Sequence, residues 1–242
     1  MKSKIDSHIH LGDFKNIEEI IGIIQNNNQY ALCVSNTPEQ FEYLYKKGLH
    51  QNKYIKIALG YNPQEIINRK FNAYQFMKNY RHTNYIGEVG LDYTKEYAHY
   101  KDNQKDIFMY ICEMVGRDKK LMSVHSRNAE DDILRILNKY SIQNFILHWY
   151  TGNYKLLPEF ISLGAYFSIN YRMTKSKKII DFLDMVPHNR ILVETDAPYI
   201  LQRENMYVNI VNETYEFLSG NGINRDLIFN NFKSLLLQIP SI

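Results

Sequence analysis

The sequence predicts an α/β fold, a (β/α)8 barrel of the TIM type, and three observations carry that expectation. Short β-branched runs recur along the whole of the 242 residues. Patterns with helical spacing separate them. Residue types able to bind metal ions stand at the C-terminal ends of these runs, the face where barrels of this class hold their active sites. A doubly wound open sheet is the alternative reading of the same alternation. The length suits one large domain or two small ones, and a single barrel domain over 1–242 is the expected organisation.

In chain order, the candidate strands are 4–10, 30–35, 54–59, 84–88, 121–125, 144–148, 165–169 and 190–194. Between them apolar residues recur one helical turn apart, as in Ile17-Ile20-Ile21-Ile24 and Ile107-Ile111-Met114-Val115. The helix expected at 128–140 opens on Asn128 as its N-cap, with acids in its first turn. Helices at 205–219 and 225–238 close the pattern. No Gly/Ser/Pro linker and no short repeat interrupts it.

Composition narrows the class. A hydrophobic content of 45% supports a sizeable core. Cys33 and Cys112 lie far apart in apolar contexts, which predicts buried free thiols in a reducing compartment. No apolar leader follows a basic segment, and no apolar run approaches the roughly 18 residues of a span, so a cytoplasmic protein is expected. The formal charge of +3 permits an anionic substrate without requiring one. It lacks the strongly basic footprint of a dedicated DNA-binding domain.

The chemistry begins in Lys4-Ile5-Asp6-Ser7-His8-Ile9-His10. Residues two apart on a strand project to the same side, so His8 and His10 project together, with Asp6 at the same parity. Glu88 ends the fourth candidate strand between Gly87 and Gly90. A carboxylate buried there alone would be costly, so it is expected to be paired or metal-bound. His125 and His148 end the fifth and sixth strands, and Asp196 follows the eighth. Taken singly, a histidine after a strand is an ordinary hydrogen-bonding residue, and His50, His82, His99 and His188 are read that way. Together, four histidines and two carboxylates on one barrel mouth predict a binuclear metal site.

Imidazole and carboxylate without thiolate suit Zn²⁺, Mn²⁺ or Fe²⁺, and Mg²⁺ less well. A structural zinc site would be closed and four-coordinate, usually with cysteine. The expected division puts His8, His10 and Asp196 on one ion, His125 and His148 on the other, and Glu88 between them. Asp196 is also the expected base.

Five stretches carry a family resemblance: Asp6–His10, Gly87–Asp92, Val124–Arg127, His148–Gly152 and Glu194–Tyr199. In this order they resemble the TatD family of metal-dependent deoxyribonucleases, within the amidohydrolase-type metal barrels. The resemblance implies a TIM-type barrel, two divalent metals and hydrolysis of DNA phosphodiesters, often as a 3′→5′ exonuclease. It also implies substrate-facing roles for Asp92 and Arg127, for which a turn-capping Asp and a surface ion pair are the plainer alternatives.

Two departures from the family stand out. Gly60-Tyr61-Asn62-Pro63 carries Asn62 where the family often has histidine. Asn62 can donate to a phosphate oxygen but carries neither proton nor charge. Trp149 stands where many relatives have a small residue, and can stack a nucleobase or pack under the rim. The short chain, Asn62 and the His148–Gly152 stretch also resemble QatD, the TatD-like component of the bacterial Qat anti-phage system. That implies a defence role with partner subunits.

The cations of Arg172-Met173-Thr174-Lys175-Ser176-Lys177-Lys178 could hold phosphates or form a solvated helix face. The leading expectation is a two-metal nuclease acting on single-stranded DNA or ends. An amide or ester hydrolase, such as an aminoacyl-tRNA deacylase, and a metal-loaded scaffold of a defence complex are the alternatives.

Overall fold

The computed structural model describes residues 2–239. Its strands are β1 (Ile5–Ile9), β2 (Tyr30–Val34), β3 (Ile55–Ala58), β4 (Tyr85–Asp92), β5 (Leu121–Arg127), β6 (Phe145–His148), β7 (Tyr166–Ile169) and β8 (Ile191–Val193). They are parallel and follow chain order in two ladders, β1-β2-β3 and β4-β5-β6-β7-β8. Both gaps between the ladders are bridged. Leu59 pairs with Ile86 across the β3–β4 seam. At the other seam, the Asp196 amide donates to the His8 carbonyl at 2.9 Å and the His10 amide to that of Ala197 at 2.8 Å. A ring of strands in sequential order is a barrel, which excludes the doubly wound sheet.

Helices fill the crossovers: α1 (Ile17–Asn26), α2 (Pro38–Lys46), α3 (Ala73–Tyr80), α4 (Lys101–Asp118), α5 (Glu130–Lys139), α6 (Leu157–Leu163), α7 (Tyr171–Thr174), α8 (Ile179–Met185), α9 (Tyr207–Gly220) and α10 (Arg225–Leu236). Their apolar stripes face the barrel. Ile20, Ile21 and Ile24 of α1 are buried, as are Ile111 and Val115 of α4. Each such side chain contributes about 1.5–3 kcal/mol. Several helix starts are capped by side chains: Asn16, Thr37, Asn170 and Asn224 each accept from a first-turn amide. No helix among the described residues is long and apolar enough to cross a membrane.

Two local expectations change. Helix α5 begins after Ala129, not on Asn128. Asn128 adopts a left-handed conformation, φ +56, which asparagine tolerates better than most residues, and its amide donates to Glu130 Oε1 at 3.2 Å. The chain turns there first, then enters the helix. The fourth strand does not stop at Glu88 but runs on to Asp92, with a register shift between Ile86 and Val89. Gly90 makes that continuation possible. Its φ is +142, and a Cβ there would lie 2.1 Å from the His125 carbonyl oxygen.

The β1–β8 closure is braced from below by Asp6, fully buried. Its carboxylate accepts from the Thr195 amide at 3.0 Å, the Thr195 hydroxyl at 2.7 Å and the Tyr207 hydroxyl at 3.1 Å. Burial pushes its pKa up to about 7 against those hydrogen bonds. Asp6 shares the parity of the two histidines but sits one layer deeper.

Candidate metal centre

The C-terminal ends of β1, β4, β5 and β6 and the turn after β8 bring all six expected ligands together. His8, His10, Glu88, His125, His148 and Asp196 are each at least nine-tenths buried. Glu88 divides them. Its Oε2 lies 3.3 Å from His10 Nε2 and 3.8 Å from His8 Nε2. Its Oε1 lies 2.7 Å from His125 Nδ1 and 2.8 Å from His148 Nε2. Asp196 Oδ1 joins the first group, 3.6 Å from His8 Nε2 and 3.4 Å from His10 Nε2.

Within each group two imidazole nitrogens face one another at 3.2 Å. Donors about 2.0–2.2 Å from a tetrahedral ion stand roughly 3.3–3.6 Å apart. The first group brackets that spacing; the second is closed to hydrogen-bond distance, 2.7 and 2.8 Å from Glu88 Oε1 to the two imidazoles, and must open by roughly 0.5 Å to admit an ion. His8, His10 and Glu88 could thus hold one ion, and Glu88, His125 and His148 another; His8, His148 and Glu194 form a further such triplet. The chemistry of the donors fits divalent ions that accept imidazole and carboxylate.

Electrostatics point the same way. Burial tends to raise Glu88, but the His148 charge and the hydrogen bonds of His10, His125 and His148 hold it well below the usual carboxylate range. Burial tends to lower His10, yet Asp196 and Glu88 raise it to about 9. His125 and His148 are also raised, against burial, by Asp92 and Glu88 and by Glu88 and Glu194 respectively. His8 goes the other way, lowered by burial and by His148. These carboxylates demand positive charge between them.

A surrounding layer fixes the ligands, and little of it was evident from sequence. Asp92 Oδ2 accepts from His125 Nε2 at 3.0 Å and from Gln64 Nε2 at 2.8 Å. With that ring nitrogen protonated, Nδ1 presents its lone pair to the site. His8 Nδ1 likewise pairs with Ser123 Oγ at 2.7 Å, leaving Nε2 to the site. Asn62 donates to Glu88 Oε2 at 2.8 Å and to Asn36 Oδ1 at 2.9 Å. Asn36 continues to Asp13 and to the Tyr199 hydroxyl, and Tyr199 packs edge-on against His10. Glu194 Oε2 stands 3.8 Å behind His148 Nδ1.

The remaining candidates separate by position. Asp92 is fully buried and Asn62 nearly so, both turned toward ligands. Asp92 also caps its own turn, accepting from the Thr94 amide and hydroxyl at 2.9 and 2.6 Å. Arg127 is exposed at the end of β5, without an ion-pair partner among the described residues, and lines a cavity of about 200 Å³ with His125, His148 and Trp149. The cationic stretch splits: Lys175 pairs with Glu213 at 3.5 Å, while Arg172 and Lys178 line cavity walls. His50, His82, His99 and His188 lie outside the site; His50 and His82, for example, pack on Tyr45. Cys33 and Cys112 are buried and unpaired.

Ser123 had a sequence signal, two residues before His125 and so on the same side of β5; Glu194 lies just past β8, where the left-handed turn at Asp196 breaks the strand alternation. Asp13 and Asn36 had none; Tyr199 lies within the Glu194–Tyr199 stretch, but the contacts joining it to Asp13 and Asn36 are made between loops that no local pattern brings together.

Comparison with known proteins agrees with this architecture. The family model for TatD-related DNases matches residues 5–226. A Buchnera aphidicola protein described as an uncharacterized metal-dependent hydrolase is 30% identical over 217 residues, covering 81% of each chain. Human deoxyribonuclease TATDN3 is 25% identical, covering 80% of this chain and 77% of its own. The crystal structure of YjjV, a TatD homologue of Escherichia coli, superposes with a TM-score of 0.82 at 17% identity, over 96% of this chain and 97% of that one. With a matched model spanning nearly its full length, the chain belongs to the TatD-related DNase family of metal-dependent hydrolases.

Proposed function

We propose that the protein is a two-metal hydrolase of DNA phosphodiesters, a 3′→5′ exonuclease acting on single strands or ends, with 1–242 as its one barrel domain. The observation carrying this reading is the divided Glu88 carboxylate, one oxygen toward each imidazole pair. His8, His10 and Asp196 would hold one ion, His125 and His148 the other, and Glu88 both. Zinc, manganese or magnesium ions bound there would supply positive charge for phosphoryl oxygens and make bound water more acidic, with zinc bringing it nearest to neutral pH.

The chain's own groups do the rest. Asp196 takes the proton of the attacking water. Its backbone is left-handed, φ +53, which turns the carboxylate from the end of β8 toward His8 and His10. Asn62 and Asp92 orient Glu88 and His125 instead of meeting substrate, since their polar atoms are engaged within the protein. Arg127 offers a planar guanidinium to a phosphate beside His125. Relatives named as deoxyribonucleases support DNA as substrate. The likeness to QatD supports a defence role with partner subunits, and the buried free thiols support a reducing, cytoplasmic setting.

The test is cleavage of end-labelled single- and double-stranded DNA with Mg²⁺, Mn²⁺ or Zn²⁺, beside His125→Ala. Metal-dependent shortening from the 3′ end, lost in the variant, is the expected result. No cleavage with any metal, while metal analysis finds two ions bound, would move the substrate to another ester or amide.

A further inference from the structure

Two adjoining cavities run outward from the second imidazole pair. The inner one, about 200 Å³, reaches from His125 and His148 past Ser126 and Arg127. The outer one, about 220 Å³, continues over Tyr154 to Ser176 and Lys178. They share Trp149, Thr151 and Arg172 as their common wall. Trp149 is partly buried, and its backbone is left-handed, φ +42, a conformation bulky residues seldom adopt. Packing under the rim accounts for part of the ring, but the rest is presented to both cavities.

Three further observations point to a ligand. Ser126 Oγ is buried in the inner cavity wall without a hydrogen-bond partner, an arrangement folded proteins rarely leave unanswered. Arg127 and Arg172 are exposed and lack carboxylate partners among the described residues. The Arg172 guanidinium instead hangs over the Trp149 ring, 5.9 Å from its centroid, at the outer edge of a cation–π contact. An aromatic ring flanked by free cations, opening onto a hydrolytic centre, is the chemistry of a single-strand track, where bases stack and phosphates are neutralised.

Resting on the phosphodiesterase reading, we propose that the rim from Ser126 to Lys178 is a binding track for one unpaired polynucleotide strand. Trp149 stacks the base beside the scissile phosphate. Arg127 holds that phosphate from the outer side of His125, and Arg172 with Lys178 holds the next one out. A base within a duplex has no free face to offer, so the track selects single strands.

Trp149 is the chain's single tryptophan, so its emission reports the contact directly. The test titrates the full-length protein with oligothymidine, following tryptophan emission and the anisotropy of a labelled strand, in chelator and again with Ca²⁺. Saturable quenching with the same midpoint as the anisotropy is expected. Trp149→Ala should weaken binding roughly 5–150-fold, the range for one stacked base, while Trp149→Phe should retain most of the affinity. Arg172→Ala should weaken binding and flatten its salt dependence by about one contact.

Saturating binding with unchanged emission, and equal affinity for Trp149→Ala, would overturn the track. So would absence of binding in both conditions. If the track fails but metal-dependent cleavage persists, the hydrolase reading stands. If the strand binds with quenching and no DNA is cleaved, the track stands and that reading falls.

Discussion

Asp92 holds His125 from behind: the imidazole Nε2 sits 3.0 Å from the Asp92 carboxylate, while Nδ1 faces Glu88 at 2.7 Å. One ring thus links an outer carboxylate to a site carboxylate, and its usable lone pair is set by the outer one. Outer partners of this kind are worth about 10–100-fold in metal affinity or activity. Asp92→Ala should therefore lose that much of both. Asp92→Asn, which keeps an oxygen able to accept from Nε2, should lose less. Metal affinity by equilibrium dialysis with Mn²⁺ checks the order of the two variants. Equal affinity in Asp92→Ala and the parent would remove Asp92 from the site.

Loss of the divided carboxylate should cost more. Glu88→Gln keeps shape but removes the charge that faces both imidazole pairs. The drop in cleavage rate should exceed the roughly 100-fold ceiling of an outer-partner variant. Steady-state kinetics of Glu88→Gln and Asp92→Ala, side by side, decide it.

Metal binding must compete with protons. In metal-free protein His10, though buried, is raised from 6.5 to about 9 by Asp196 and Glu88. A raised pKa contributes stability that is fully present below about 6.5 and lost as pH rises through about 9. The metal-free melting temperature should therefore fall across that window. An ion displaces the proton and supplies the charge itself, so the loaded protein should not follow the decline, and metal affinity should rise with pH. Thermal melts in chelator and in Mn²⁺ at pH 6.5, 7.5 and 9 test this; parallel curves would contradict it.

Gly60 is required by backbone crowding beneath Glu88. A Cβ there would lie 2.0 Å from the Ser35 carbonyl oxygen and 2.5 Å from both Glu88 N and Gly87 O. None of these atoms ends a flexible side chain. Gly60→Ala should destabilise by about 3 kcal/mol, the upper end of overpacking. Gly22 in α1 has nothing within 4 Å of an added Cβ, so Gly22→Ala should be neutral or stabilising by up to about 1 kcal/mol. Denaturant titrations of the two variants provide the comparison.

The barrel was legible because strand and helix periods alternate cleanly along the sequence, and the residues brought together at the mouth were legible because, Glu88 apart, they lie near or just past the C-terminal ends of the apolar runs. Glycines misled the reading of β4: Gly87 and Gly90 look like a strand end in sequence, yet Gly90 is what lets the strand run on against His125. Asn62 read as a residue facing phosphate, whereas both its donated hydrogen bonds go to Glu88 and Asn36. That pairing depends on where the loops after β2 and β3 meet, which no local pattern encodes. The Asp13–Tyr199 contact, 2.7 Å across 186 positions, is hidden for the same reason.

The most direct test of the central claim counts ions. The purified protein should be saturated with Mn²⁺ or Zn²⁺, freed of excess, and its bound metal measured per chain, beside Glu88→Gln. Two ions in the parent and one or none in the variant is the predicted result. One ion or none in the parent, with all four histidines intact, would contradict the two-metal account.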